Sequence, residues 1–92
     1  MNNSCYYCGV KSAQIVGDNV RGFCEIQGYT QAEFAKQAKL HRDYIGGVER
    51  GVRNISVESL FQIAEALGVT PHVLLIEGAY RWVAKIQKHF KR

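Results

Sequence analysis

Apolar residues recur at intervals of three and four along almost all of this 92-residue chain, the spacing that puts them on one face of a helix. That periodicity restricts the chain to packed helices, an all-α fold. Ile15, Val16, Val20, Phe23 and Cys24 mark the inner face of a first helix, with Ser12 placed to cap its start and Gly28 to stop it. Thr30 and Glu33 have the spacing of a capping box, in which each side chain satisfies a backbone N–H of the other residue. A second helix therefore starts there, with Phe34, Ala35 and Ala38 inward.

A third helix is expected from Arg42 to Arg50, closed by Gly51, with Tyr44, Ile45 and Val48 as its buried stripe and Asp43, Gly46, Gly47 and Arg50 facing outward. Gly46-Gly47 is its weak point. Each glycine costs about 1 kcal/mol relative to alanine inside a helix, and a Gly-Gly pair between apolar residues also suits a hairpin turn. The flanks lack two-residue alternation, which favours the helix. A fourth helix starts at Ser56 and runs through Leu67, with Leu60, Phe61, Ile63, Ala64 and Leu67 inward and Gly68 at its end. Thr70-Pro71 reads as a cap followed by proline at the first helical position, opening a fifth helix that carries Val73, Leu74, Leu75 and Ile76. Beyond Gly78, Trp82, Val83, Ile86 and Phe90 share one face of a last, amphipathic segment.

The length accommodates one domain with a modest core. We divide it into a flexible segment over 1–11, a helical domain over 12–78 and a basic amphipathic helix over 79–92. The apolar runs are a handful of residues long (Val73 to Ile76), far below the ~18 needed to span a bilayer, and no basic-then-apolar signal opens the chain. A soluble cytoplasmic domain with no membrane partner is expected. Cys5-x-x-Cys8 could be half of a zinc site, but zinc normally takes four ligands, and only Cys24 and three scattered histidines remain. The expectation is a frayed N-terminus with two free thiols, no metal and no cofactor.

Charge is unevenly spread. Residues 30–54 hold five bases and three acids, 55–78 three acids and no Lys or Arg, and 79–92 five bases and no acid. Localised positive faces suit a polyanion such as nucleic acid, although a solvated surface with a basic tail has the same composition. No His, Cys or carboxylate set has catalytic spacing on a helical frame, so neither an enzyme nor a small-molecule substrate is expected.

The second and third helices are joined by a short turn, Lys39 to His41, the layout of a helix-turn-helix, although an ordinary helical hairpin has the same outline. The run Thr30-Gln31-Ala32-Glu33-Phe34-Ala35, then Tyr44-Ile45, then Val48-Glu49-Arg50-Gly51, then Ile63-Ala64-Glu65-Ala66-Leu67-Gly68-Val69 closely resembles phage-repressor/Cro-type (XRE) DNA-binding domains. The stretch from His41 to Asn54 resembles, more narrowly, the controller proteins of restriction–modification systems.

The resemblance implies a five-helix repressor-like domain with an added C-terminal helix, and a transcriptional regulator that binds a double-stranded DNA operator. Arg42 would reach a guanine edge. Asp43 would accept from a cytosine amino group or merely favour the helix N-terminus. Tyr44 would touch bases or phosphate, or be a core tyrosine with its hydroxyl at the rim. Gly46 and Gly47 would let the helix backbone sit deep in the groove. Gln31, His41, Arg50, Arg53 and Asn54 would contact the sugar–phosphate backbone, with capping as the alternative for His41.

Many relatives have an arginine in place of Cys24, paired with the glutamate equivalent to Glu49. Here Glu49 needs Arg21, Arg53 or solvent instead. The family usually binds pseudo-palindromes as homodimers, and controller proteins dimerise through the C-terminal end. The interface would then draw on Val69, Leu74, Leu75, Ile76, Tyr80, Trp82 and Val83, unless the last helix folds back over them. The second reading is an interaction module of the same fold, antitoxin-like or coactivator-like.

Overall fold

The computed structural model describes residues 11–86, with side chains through Trp82. Cys5, Cys8, the side chain of Val83 and the basic tail beyond Ile86 lie outside the described residues. The elements are α1 (Ser12–Gln27), α2 (Gln31–Ala38), α3 (Arg42–Glu49), α4 (Val57–Leu67), a 3-10 helix (Pro71–Leu75) and α5 (Ala79–Ile86), with no strand among the described residues. The all-α expectation holds.

Local chemistry sets most of the boundaries. The Thr30–Glu33 capping box is closed from both sides: Glu33 N–H donates to Thr30 Oγ1 at 3.1 Å and Thr30 N–H to Glu33 Oε1 at 3.0 Å. Ser56 Oγ accepts from Ser59 N–H at 3.1 Å, fixing the start of α4. Gly28 and Gly68 take φ of 81° and 78°, the left-handed conformation that ends α1 and α4. The turn between α2 and α3 reaches the same conformation without glycine. Lys39 sits at φ 62°, and Leu40 N–H donates back to Ala35 O at 2.9 Å.

Three expectations are corrected here. Ser12 is the first residue of α1 rather than its cap; Lys11 occupies the cap position without a side-chain cap bond and pairs with Glu77 at 3.6 Å. The fifth helix is a 3-10 turn, so its apolar run does not share one α-helical face: Leu74 is fully buried while Leu75 is 54% exposed. Phe61 is 58% exposed, because α4 turns only Ile63, Ala64 and Leu67 fully inward and leaves Leu60 at the margin.

The core is built on α1. Val16, Val20 and Phe23 meet Phe34 of α2, Ile45 and Val48 of α3, Ile63 of α4 and Leu74, all buried. Two glycines bring neighbours unusually close to α1. A Cβ on Gly17 would overlap the backbone carbonyl of Val48 in α3, and one on Gly22 would overlap the Tyr80 ring of α5. Between them Asn19, fully buried, donates to Leu74 O at 3.0 Å and Ile76 O at 2.8 Å and accepts from Tyr80 N–H at 3.1 Å. One side chain thus ties both the 3-10 turn and the start of α5 to α1.

Candidate nucleic-acid interface

Gly46-Gly47 is helical, not a reverse turn: α3 is continuous across both, with Arg50 N–H donating to Gly46 O at 3.1 Å. His41 caps this helix, its Nδ1 accepting from Asp43 N–H at 3.1 Å. The bond requires an unprotonated Nδ1 and so places the proton of neutral His41 on Nε2. The capping alternative for His41 is the one observed. Arg42 and Asp43 follow in the first turn of α3, both exposed. Neither forms an ion pair among the described residues. Their positions leave both free to reach outward, and an acid in the first turn also complements the helix dipole.

Gly46 and Gly47 do not lie bare on the outer surface as expected; both are buried. The ideal Cβ position of Gly46 lies 3.4 Å from Arg50 Nη1 and 3.5 Å from Gln31 Oε1, and that of Gly47 lies against Arg53 Cγ. Long side chains from α2, from the end of α3 and from the following loop therefore roof the glycines. The Arg53 guanidinium carbon also stacks 5.3 Å from the centre of the half-buried Tyr44 ring. Two groups result: Gln31 and Arg50 over Gly46, and Arg53 over Tyr44 and Gly47. Asn54 is exposed in the loop beyond them.

Glu49 is buried at 8% exposure, and its partner is neither Arg21 nor Arg53. Arg21 pairs with Asp18 at 3.6 Å along α1. The carboxylate instead accepts from Gln31 Nε2 at 2.9 Å and from the Cys24 thiol. The Cys24 thiol is pushed up from 9.0 to about 12 by its burial first, then by the Glu49 charge and by the hydrogen bond to Glu49. It therefore remains a protonated donor. With no arginine at position 24, a thiol and an amide take over the carboxylate that a guanidinium would otherwise hold.

Sequence reasoning missed this role of Gln31 and also the clamp made by Asn19. An asparagine among apolar helix positions (Val16, Val20, Phe23) was the available signal, since a buried amide needs partners.

These features, a short rigid α3 seated on α1 and joined to α2 by a three-residue turn, are those of a DNA-reading helical pair. A helix-turn-helix family model matches residues 23–74, more than half of the chain. The chain belongs to the XRE-type helix-turn-helix family. Within this family, control protein C.SmaI of Serratia marcescens is 36% identical over 72 residues, covering 77% of this chain and 86% of the relative. The crystal structure of the restriction–modification controller protein C.AhdI from Aeromonas hydrophila superposes with a TM-score of 0.65 at 35% identity, over 67% of this chain and 94% of that one. The hypothetical transcription factor NHTF from Neisseria superposes with a TM-score of 0.71 at 34% identity, over 76% and 80% of the two chains.

At the C-terminal end, the apolar residues expected to form a subunit interface divide. Leu74 is fully buried in its own core, which removes it from that set, while Tyr80 packs its ring on Gly22 and remains half-buried. Val69 is half-buried, whereas Leu75, Ile76 and Trp82 are exposed. No helix among the described residues is long and apolar enough to cross a membrane, and no group of three His, Cys, Asp or Glu that could hold a metal is found among them.

Proposed function

We propose that this protein is a sequence-specific transcriptional regulator that binds a pseudo-palindromic double-stranded DNA operator as a homodimer in the cytoplasm, and that it controls a restriction–modification operon. Its role is binding rather than catalysis. The observation that carries the reading is α3 itself: a helix fixed from behind by Gly17 and Glu49, with Arg42 and Asp43 exposed at its leading end and Arg50 and Arg53 at its trailing end. Arg42 and Asp43 are the readers of base edges, with Tyr44 reaching them once Arg53 moves. Gln31, Arg50, Arg53 and Asn54 hold the sugar–phosphate backbone, and His41, whose Nδ1 is taken up by the cap, reaches it through its other ring nitrogen.

Dimerisation through exposed Leu75, Ile76 and Trp82 would bring two such helices to two half-sites. The likeness to C.SmaI and to the controller C.AhdI supports the operon assignment.

A mobility-shift titration against the DNA upstream of the protein's own gene tests the reading. A discrete complex containing two protomers is expected. Arg42→Ala should relax preference at one base position by about 1–3 kcal/mol, while Arg53→Ala should weaken all sequences alike and lower the salt slope by about 1. Absence of any complex above non-specific background at moderate salt overturns it.

A further inference from the structure

We infer that Glu49 is a positioning residue for DNA-phosphate binding: held from behind by Cys24, it takes one N–H of the Gln31 amide, fixes the orientation of that amide and leaves the other N–H for a phosphate. The inference rests on the proposed DNA-backbone role of Gln31 and goes beyond it by naming what orients that side chain. Three observations support it.

A side-chain amide is planar, with two N–H groups in fixed directions, and only its nitrogen can donate to a carboxylate. The 2.9 Å bond from Gln31 Nε2 to Glu49 Oε1 therefore settles which way round the amide sits. The carbonyl oxygen then lies over Gly46, 3.5 Å from where a Cβ would be, and leaves the second N–H without a partner among the described residues. Gly46 supplies the space: the Arg50 guanidinium and the Gln31 amide converge over its bare backbone, from two helices of the pair. Finally, Glu49 cannot swing away. It is buried, and its carboxylate is shared with a thiol that remains protonated. A free surface glutamine samples many rotamers and loses them on binding; a pinned one has already given them up.

The sign of one substitution separates this role from plain electrostatics. Removing a negative charge beside a polyanion should strengthen binding and steepen its salt dependence. Glu49→Gln, close to isosteric, should instead weaken operator binding by about threefold to tenfold, as expected when one hydrogen bond is misaligned. Gln31→Ala should give a loss of similar size with an unchanged salt slope, and adding Glu49→Gln to it should cause no further loss. In the intact wild-type protein the two Gln31 side-chain amide protons should be widely separated by NMR, and Glu49→Gln should narrow that separation. Thermal melts confirm that each variant is folded.

Tighter binding by Glu49→Gln overturns the inference, as does an undiminished Glu49→Gln effect in the Gln31→Ala background; either leaves the regulatory reading intact. Wild-type protein that shows no affinity for its upstream duplex, while keeping the separated amide protons, overturns both.

Discussion

Two parts of the molecule lean on α1, and each is held by a glycine and a buried polar side chain. Helix α3 rests on Gly17 and is held through Glu49; α5 rests on Gly22, and it and the 3-10 turn are held through Asn19. The difference lies in the polar group. Asn19 is neutral, fully buried and spends its amide on three backbone atoms of one segment, so it forms a closed joint. Glu49 is acidic, lies at the edge of the core and depends on side chains from two other helices, one of them Gln31 at the proposed DNA surface. The same scaffold helix thus provides a fixed seat on one side and, on the other, a seat wired to the functional surface.

Gly17→Ala should break the comparison most severely. The new methyl meets a main-chain carbonyl that cannot rotate away, so α3 must lift. We expect a loss of about 3 kcal/mol in urea unfolding, with weakened operator binding in whatever remains folded. Next comes Asn19→Ala, which takes one bond each from the Leu74 carbonyl, the Ile76 carbonyl (still bonded to Ala79 N–H) and the Tyr80 N–H, and should cost about 2 kcal/mol. Hydrogen exchange should then accelerate over 71–82 while α3 retains its protection; equal loosening of α3 would show that the two seats are not independent.

A third, smaller effect depends on pH. The folded Cys24 thiol holds its proton up to about 12, whereas the unfolded thiol releases it near 9.0. Its contribution is therefore complete below pH 9.0 and is lost as the pH rises toward 12. The urea midpoint of the wild type should fall more steeply over that window than that of Cys24→Ser, whose hydroxyl does not titrate there. Smallest of all, Gly46→Ala should stabilise α3 by about 0.5–1 kcal/mol, because its methyl finds ordinary contact distances rather than a clash. Its operator affinity should nevertheless drop, since the methyl fills the space between Gln31 and Arg50.

The same contrast explains what could be read in advance. Signals carried by a few neighbouring residues were legible. The Thr30–Glu33 box, the Gly28 and Gly68 stops and the helical state of Gly46-Gly47 all follow from interactions within a turn or two. So did the helix-turn-helix outline and the residues that line it, because their spacing along the chain is itself the motif. The closures across long stretches of sequence were not legible. Asn19 reaches Leu74 and Tyr80, more than fifty residues away, and nothing near it announces those partners. Glu49 was recognisable as needing a partner, but charge matching pointed to arginines, while the fold supplied an amide and a thiol. Phe61 is exposed because α4 turns only Ile63, Ala64 and Leu67 fully inward, and Leu74 is buried beside an exposed Leu75 because a 3-10 turn rotates successive side chains differently from an α-helix; apolar spacing alone announces neither outcome.

Trp82 is the sole tryptophan of the chain and stands 47% exposed on α5, the helix whose start Asn19 ties to α1. The protein therefore carries its own optical reporter on the end proposed to meet a second subunit. Its emission should move to longer wavelength as dilution carries the protein below its association range and re-exposes the ring, and stay put when duplex engages α3 of a preformed pair. Assembly and operator occupancy can thus be followed separately, in one cuvette and without a dye.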